Sequence, residues 1–127
     1  MSDIKKLTKL IISFRDARDW KQFHNPKDVA LSMVLEASEL MEHFQWKTIH
    51  EVKTYIKKNK KPIAEELADV LYWVLLMSHD LGIDVKDALI KKLSKNKKKY
   101  QKTTKEKQTV KNVEGEKHKK TNERKKK

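Results

Sequence analysis

Only two glycines and two prolines occur among the 127 residues, and all four stand at or beyond places where a helix can begin or end. No stretch shows the sustained apolar–polar alternation of a half-buried strand, whereas apolar residues recur at three- and four-residue intervals. The fold class this implies is all-α. A first helix is predicted over about residues 2–21, with Ile4, Leu7, Leu10, Ile11 and Phe14 on one stripe. Asn25 then suits an N-cap, Pro26 the first helical position, and Asp28 a capping-box-like partner. The second helix is expected to run to about residue 46, with Val29, Ala30, Met33, Ala37, Leu40, Met41 and Phe44 as its apolar face. Thr48 and Glu51 fit the cap of a short helix that ends in the basic stretch 57–61. Pro62 opens a third main helix that Gly82 stops, and Asp84 with Asp87 launches a fourth to about residue 100. Four to five helices with short links form a bundle.

Two copies of one spacing carry the chemistry. Glu36/Glu39 and Glu66/Asp69 are acidic-x-x-acidic pairs, each set in an otherwise apolar segment. Residues three apart share a helix face, so each pair aims two carboxylates at one point. Ionised carboxylates taken out of water cost several kcal/mol apiece unless something compensates them. A solvated face or the positive end of a helix dipole accounts for either pair alone, but it accounts poorly for Asp69, in the second turn. Both pairs beside core stripes point to a divalent cation. Oxygen-only ligands suit Mg²⁺, with Mn²⁺ as a substitute. A ferritin-like di-iron site needs Glu-x-x-His motifs, and the chain has none. No His pair has zinc spacing on a helix. His24, His43, His50 and His79 read as surface or boundary residues, with His43, one turn beyond Glu39, a candidate to support that carboxylate from behind.

The third helix is apolar around its whole circumference (Leu67, Val70, Leu71, Trp73, Val74, Leu75, Leu76, Met77), which predicts burial on all sides. On the fourth helix the stripe begun by Val85 and Leu89 continues as Lys92, Asn96 and Tyr100. Polar groups on an inward stripe suggest a site wall, where Lys92 neutralises phosphate and Asn96 and Tyr100 donate hydrogen bonds. The other reading is a helix end emerging into solvent. Trp20, Trp46 and Trp73 fill a core or line a slot for a flat base.

The chain carries a formal charge of +13, but residues 101–127 concentrate much of it, with eleven Lys/Arg against four Glu. Val110 and Val113 are the only apolar side chains there. That segment is predicted to be a disordered, solubilising or loosely polyanion-attracting tail, which leaves residues 1–100 as one small domain. At 37% hydrophobic and 39% charged, the composition is polar for a self-sufficient globule, so a core shared between subunits is expected. Cysteine is absent, the N-terminus lacks a signal-peptide core, and the longest apolar run, residues 70–77, is too short for a membrane span. A cytoplasmic protein is expected.

Taken together, these segments resemble the MazG-like all-α nucleoside triphosphate pyrophosphohydrolases, and within them the dCTP pyrophosphatase branch. The resemblance rests on EASE (36–39), ELAD (66–69), RDWKQFH (18–24), FQWKT (44–48), EELADVL (65–71) and the K-x-x-x-N-x-x-x-Y pattern of Lys92, Asn96 and Tyr100, spread over residues 7–100. It implies that Glu36, Glu39, Glu66 and Asp69 hold Mg²⁺. Lys92, Asn96 and Tyr100 would contact the triphosphate or sugar, and Trp20 and Trp46 would enclose the base. It further implies a homodimer or homotetramer, and hydrolysis of a dNTP, dCTP or a modified dCTP, to dNMP and pyrophosphate in nucleotide-pool sanitation. The chain departs from the branch in having Trp73 where Tyr is frequent, Ser38 where Gly is common, and Gln101 where Pro tends to follow. Two competing readings are the same fold acting on another triphosphate, and a non-enzymatic basic helical protein binding nucleic acid through its tail and residues 91–99. Inward carboxylates oppose the latter, since without a metal they repel phosphate.

Overall fold

The computed structural model describes residues 2–100, so the disorder expected of residues 101–127 lies outside the described residues. The chain divides into two compact units, one ending at Val85 and the other beginning at Lys86. The described residues form four α-helices and one short 3-10 turn, without a strand.

Helix α1 spans Asp3–Ala17, its start capped by Ser2, whose hydroxyl accepts from the Lys5 N–H at 3.3 Å. It stops short of the expected residue 21 because Asp19 adopts φ 54°, a left-handed conformation that Asp tolerates better than most residues. The Arg15 carbonyl then accepts from both Arg18 (3.1 Å) and Trp20 (3.2 Å), and the chain folds into the 3-10 turn Lys21–Phe23. Helix α2, Pro26–Glu42, starts as its sequence dictates: Asn25 Oδ1 accepts from the Asp28 N–H at 2.9 Å and Asn25 Nδ2 donates to the Asp28 carboxylate at 2.7 Å. It ends before Trp46, which falls in the following turns.

The expected short helix and third helix are one element, α3, Ile49–Asp80, capped by Thr48 and broken at Asn59 (φ −126°, ψ 24°). Pro62 explains the break. It has no N–H for the carbonyl four residues back, and its ring crowds that turn. Gly82, at φ 66°, follows the end of α3, and α4 spans Val85–Tyr100.

Helix α3 packs against both α2 and α1, and the apolar core is centred on Val29, Leu75 and Leu76. Two expectations need correction here. The inward face of α1 is rotated from the predicted stripe: Ile4, Thr8, Ile11 and Ile12 are half-buried and Arg15 is fully buried, while Leu10 is 68% exposed. Nor is α3 buried on all sides. Its Leu75–Leu76 turn is enclosed, but Leu67 and Leu71 face solvent, because α1 and α2 cover only part of its circumference. Leu31, Val34 and Leu35 on α2 are exposed as well. No helix among the described residues is long and apolar enough to cross a membrane.

Candidate metal centre

Glu36 and Glu39 are one turn apart on α2, and Glu66 and Asp69 one turn apart on α3. Packing of these helices brings one oxygen from each of the four carboxylates to within 4.8 Å of the others. Glu36 and Glu66 are half-buried, whereas Glu39 and Asp69 are exposed. Glu36 Oε2 and Glu66 Oε2 are shielded from solvent and lack a hydrogen-bond partner. Shielded carboxylate oxygens left unpartnered are costly, and four oxygen donors around one point fit a hard divalent cation.

The electrostatics point the same way. Burial first, and then the neighbouring Glu39, Asp69 and Glu66, push the Glu36 carboxyl up to about 7. Burial also raises Glu66, as do Glu39 and Asp69, while the His43 charge pulls it down. The sign for stability follows from this. A carboxyl with a raised native pKa binds its proton more tightly when folded, so Glu36 contributes stability that is complete below its ordinary value of 4.5 and is lost as pH rises through about 7. Cation binding removes the penalty on the ionised form. With EDTA the melting temperature should fall from about pH 5 to about pH 8, and Mg²⁺ should raise it more at the higher pH. Equal Mg²⁺ increments at both pH values would contradict the cluster as the binding locus.

The aromatic candidates divide. Phe14 meets Trp20 edge-on at 5.7 Å and Tyr72 at 6.5 Å, and Tyr72 meets Trp73 at 5.0 Å. The Arg18 guanidinium lies 3.6 Å over the Phe14 ring. Trp20 and Trp73 are thus two ends of one ring cluster joining α1 to α3. Trp46 is 87% exposed, outside that cluster. His24 is more than a boundary residue. Its ring packs edge-on against Trp73 at 5.4 Å, and its shielded Nδ1 has no partner. Lys92, Asn96 and Tyr100 lie on successive turns of α4.

Beside the carboxylates and His43, sequence reasoning missed Glu42 and Tyr55. Glu39, Glu42, His43, Tyr55 and Glu66 line one cavity of about 390 Å³. Spacing alone offers a signal for Glu42 and His43, three and four residues beyond Glu39, but none for Tyr55.

The described residues are all-α, with two helix-borne carboxylate pairs gathered around one point that could hold a metal ion. The model of the MazG-like family matches residues 31–124. The dCTP pyrophosphatase 1 of Mus musculus is 33% identical over 99 residues, covering 76% of this chain and 58% of its own length. The Homo sapiens protein of that name is 32% identical with the same coverage, so the chain spans under three-fifths of these relatives. The crystal structure of a pyrophosphatase from Archaeoglobus fulgidus DSM 4304 superposes with a TM-score of 0.76 at 34% identity, over 80% of this chain and 95% of that one. The chain belongs to the MazG-like family.

Proposed function

We propose that this chain is a Mg²⁺-dependent nucleotide pyrophosphohydrolase that splits a dNTP, dCTP or a base-modified dCTP, between its α- and β-phosphates to give dNMP and pyrophosphate. The observation that carries this reading is the convergence of Glu36, Glu39, Glu66 and Asp69 with two shielded, unpartnered oxygens. The names of the dCTP pyrophosphatase relatives support the substrate class.

Glu36, Glu39, Glu66 and Asp69 would hold the cation. Bound there, Mg²⁺ supplies charge neutralisation for phosphate oxygens and a more acidic water. The protein's own contribution is positioning, which dominates phosphoryl transfer. Lys92, Asn96 and Tyr100 would grip the triphosphate and sugar, and Trp20, Trp46 and Trp73 would flank the base. One of the cluster carboxylates, Glu36 or Glu39, orients or deprotonates the attacking water. The exposed leucines and valine of α2 and the exposed Leu67 and Leu71 of α3 support assembly as a homodimer or homotetramer. Residues 1–100 would carry the activity in the cytoplasm, with the Lys-rich tail an accessory for weak polyanion binding.

Pyrophosphate release from a panel of dNTPs and NTPs, including 5-substituted dCTP, tests this with Mg²⁺ and with EDTA. Selective Mg²⁺-dependent release from dCTP-like substrates is expected. Release from another nucleotide would keep the site and change its specificity. Absence of turnover on every nucleotide would overturn the reading.

A further inference from the structure

The cavity beside the carboxylates contains a hydrogen-bonded pair that neither the spacing motifs nor the proposed chemistry uses. His43 follows Glu39 by one helical turn, at the end of α2, and its Nδ1 lies 2.5 Å from the Tyr55 hydroxyl. Tyr55 comes from the first half of α3, on the far side of the Asn59 break from Glu66 and Asp69. Its ring is held by His43 (5.7 Å between centroids), by Phe44 edge-on (6.3 Å) and by the Lys47 ammonium, 4.2 Å over the face. Its carbonyl accepts from Asn59 Nδ2 at 2.8 Å, so the broken turn is closed by a side chain rather than left open. Both members of the pair line the cavity that Glu39, Glu42 and Glu66 share. His43 is near enough to Glu66 that an added proton on the imidazole would lower that carboxyl's pKa. The Tyr55 hydroxyl can serve Nδ1 as donor or as acceptor, and carboxylates across the cavity favour the tautomer whose Nε2 carries the proton toward them.

We propose that Tyr55 and His43 form a positioning pair for the cation site: the Tyr55 O–H donates to His43 Nδ1, which keeps the ring proton on Nε2 as a donor toward the Glu39 and Glu66 carboxylates across the cavity, directly or through one water. The pair restricts the rotation of these two side chains, and so presets the ligand geometry before a cation arrives. It also ties that geometry to the bend, since Tyr55 belongs to the segment before Asn59 and Glu66 to the segment after it. Neither residue touches substrate in this account. The inference rests on the metal reading of the four carboxylates.

The test is Mn²⁺ titration of the full chain by electron paramagnetic resonance, without nucleotide. Tyr55→Phe retains the ring and deletes only the hydroxyl. It should weaken Mn²⁺ binding about 10–100-fold, the usual effect of losing an outer-shell partner, while the melting temperature of the metal-free protein stays near that of the wild type. His43→Gln, which keeps an N–H donor at a similar reach, should recover part of the loss seen in His43→Leu. Wild-type Mn²⁺ affinity in Tyr55→Phe would overturn the pair and leave the carboxylate site standing. Absence of Mn²⁺ binding in the wild type would instead overturn the metal reading and the pair with it. A measurement independent of any variant is the ¹⁵N spectrum of the His43 imidazole in the wild type. In the neutral form of the ring the proton is expected on Nε2, and its placement on Nδ1 would refute the proposal.

Discussion

Glu36→Gln and Asp69→Asn, each made alone, will lose about a thousandfold or more in turnover, equivalent to about 4 kcal/mol of barrier, while helix content is unchanged. The two substitutions lie on different helices and differ in burial, Glu36 being half-buried and Asp69 exposed. A shared kinetic loss therefore reports the cluster rather than one locally damaged helix. The stability arm of the experiment runs the other way. Glu36 is forced to ionise in a partly dehydrated place beside three other carboxylates, so Glu36→Gln should raise the melting temperature of the EDTA-treated protein near pH 8. It should also abolish most of the stabilisation that Mg²⁺ gives the wild type. A variant more stable without metal and inactive with it is the pattern of a binding site held together at the expense of the fold. Near-native turnover in both variants would sink the assignment of these carboxylates.

That cluster was legible because its information is local. A three-residue spacing on a helix specifies a shared face, and two such faces on apolar helices have one plausible place to meet. Helix starts were legible for the same reason: Asn25 and Thr48 each accept from a backbone N–H three residues on, and a short polar side chain before an apolar run announces that bond. Other features depended on partners far away in sequence. A charged Arg15 reads as surface until Asp80, 65 residues on, is seen to meet it. Tyr55 is one aromatic among basic residues until the break at Asn59 sets it against His43. Pro62 marked a boundary correctly, but not its nature, since a proline near the start of a helical turn bends a continuing helix as readily as it begins a new one. The uniformly apolar α3 misled in another way, because hydrophobicity on every side shows what a helix needs covered and leaves open whether the same chain covers it.

The largest effect on stability is expected away from the cluster, at the Arg15–Asp80 pair. The Arg15 guanidinium has 1% of its side-chain surface exposed. Its Nη1 donates to Asp80 Oδ2 at 2.7 Å, while Asp16 approaches Nε at 3.6 Å. Asp80 keeps a quarter of its side chain in water. The two ends of the bridge are therefore unequal, and the two deletions should be unequal in the same sense. Asp80→Ala strands a buried, permanently charged guanidinium and should cost about 3 kcal/mol, lowering the melting temperature of a domain this size by roughly 10–25 °C. Arg15→Met fills the same space with an apolar chain and leaves behind only a carboxylate that water can reach, so the loss should be under about 1 kcal/mol. The pair also bears on the proposed base pocket. The Arg15 carbonyl holds the N–H groups of Arg18 and Trp20, and loosening this turn frees Trp20 from the Phe14 edge. Asp80→Ala should accordingly raise KM for nucleotide at temperatures well below its unfolding transition, with the Mg²⁺ dependence unaltered. Equal destabilisation by Asp80→Ala and Arg15→Met would show that the bridge acts through packing rather than through compensation of the buried charge.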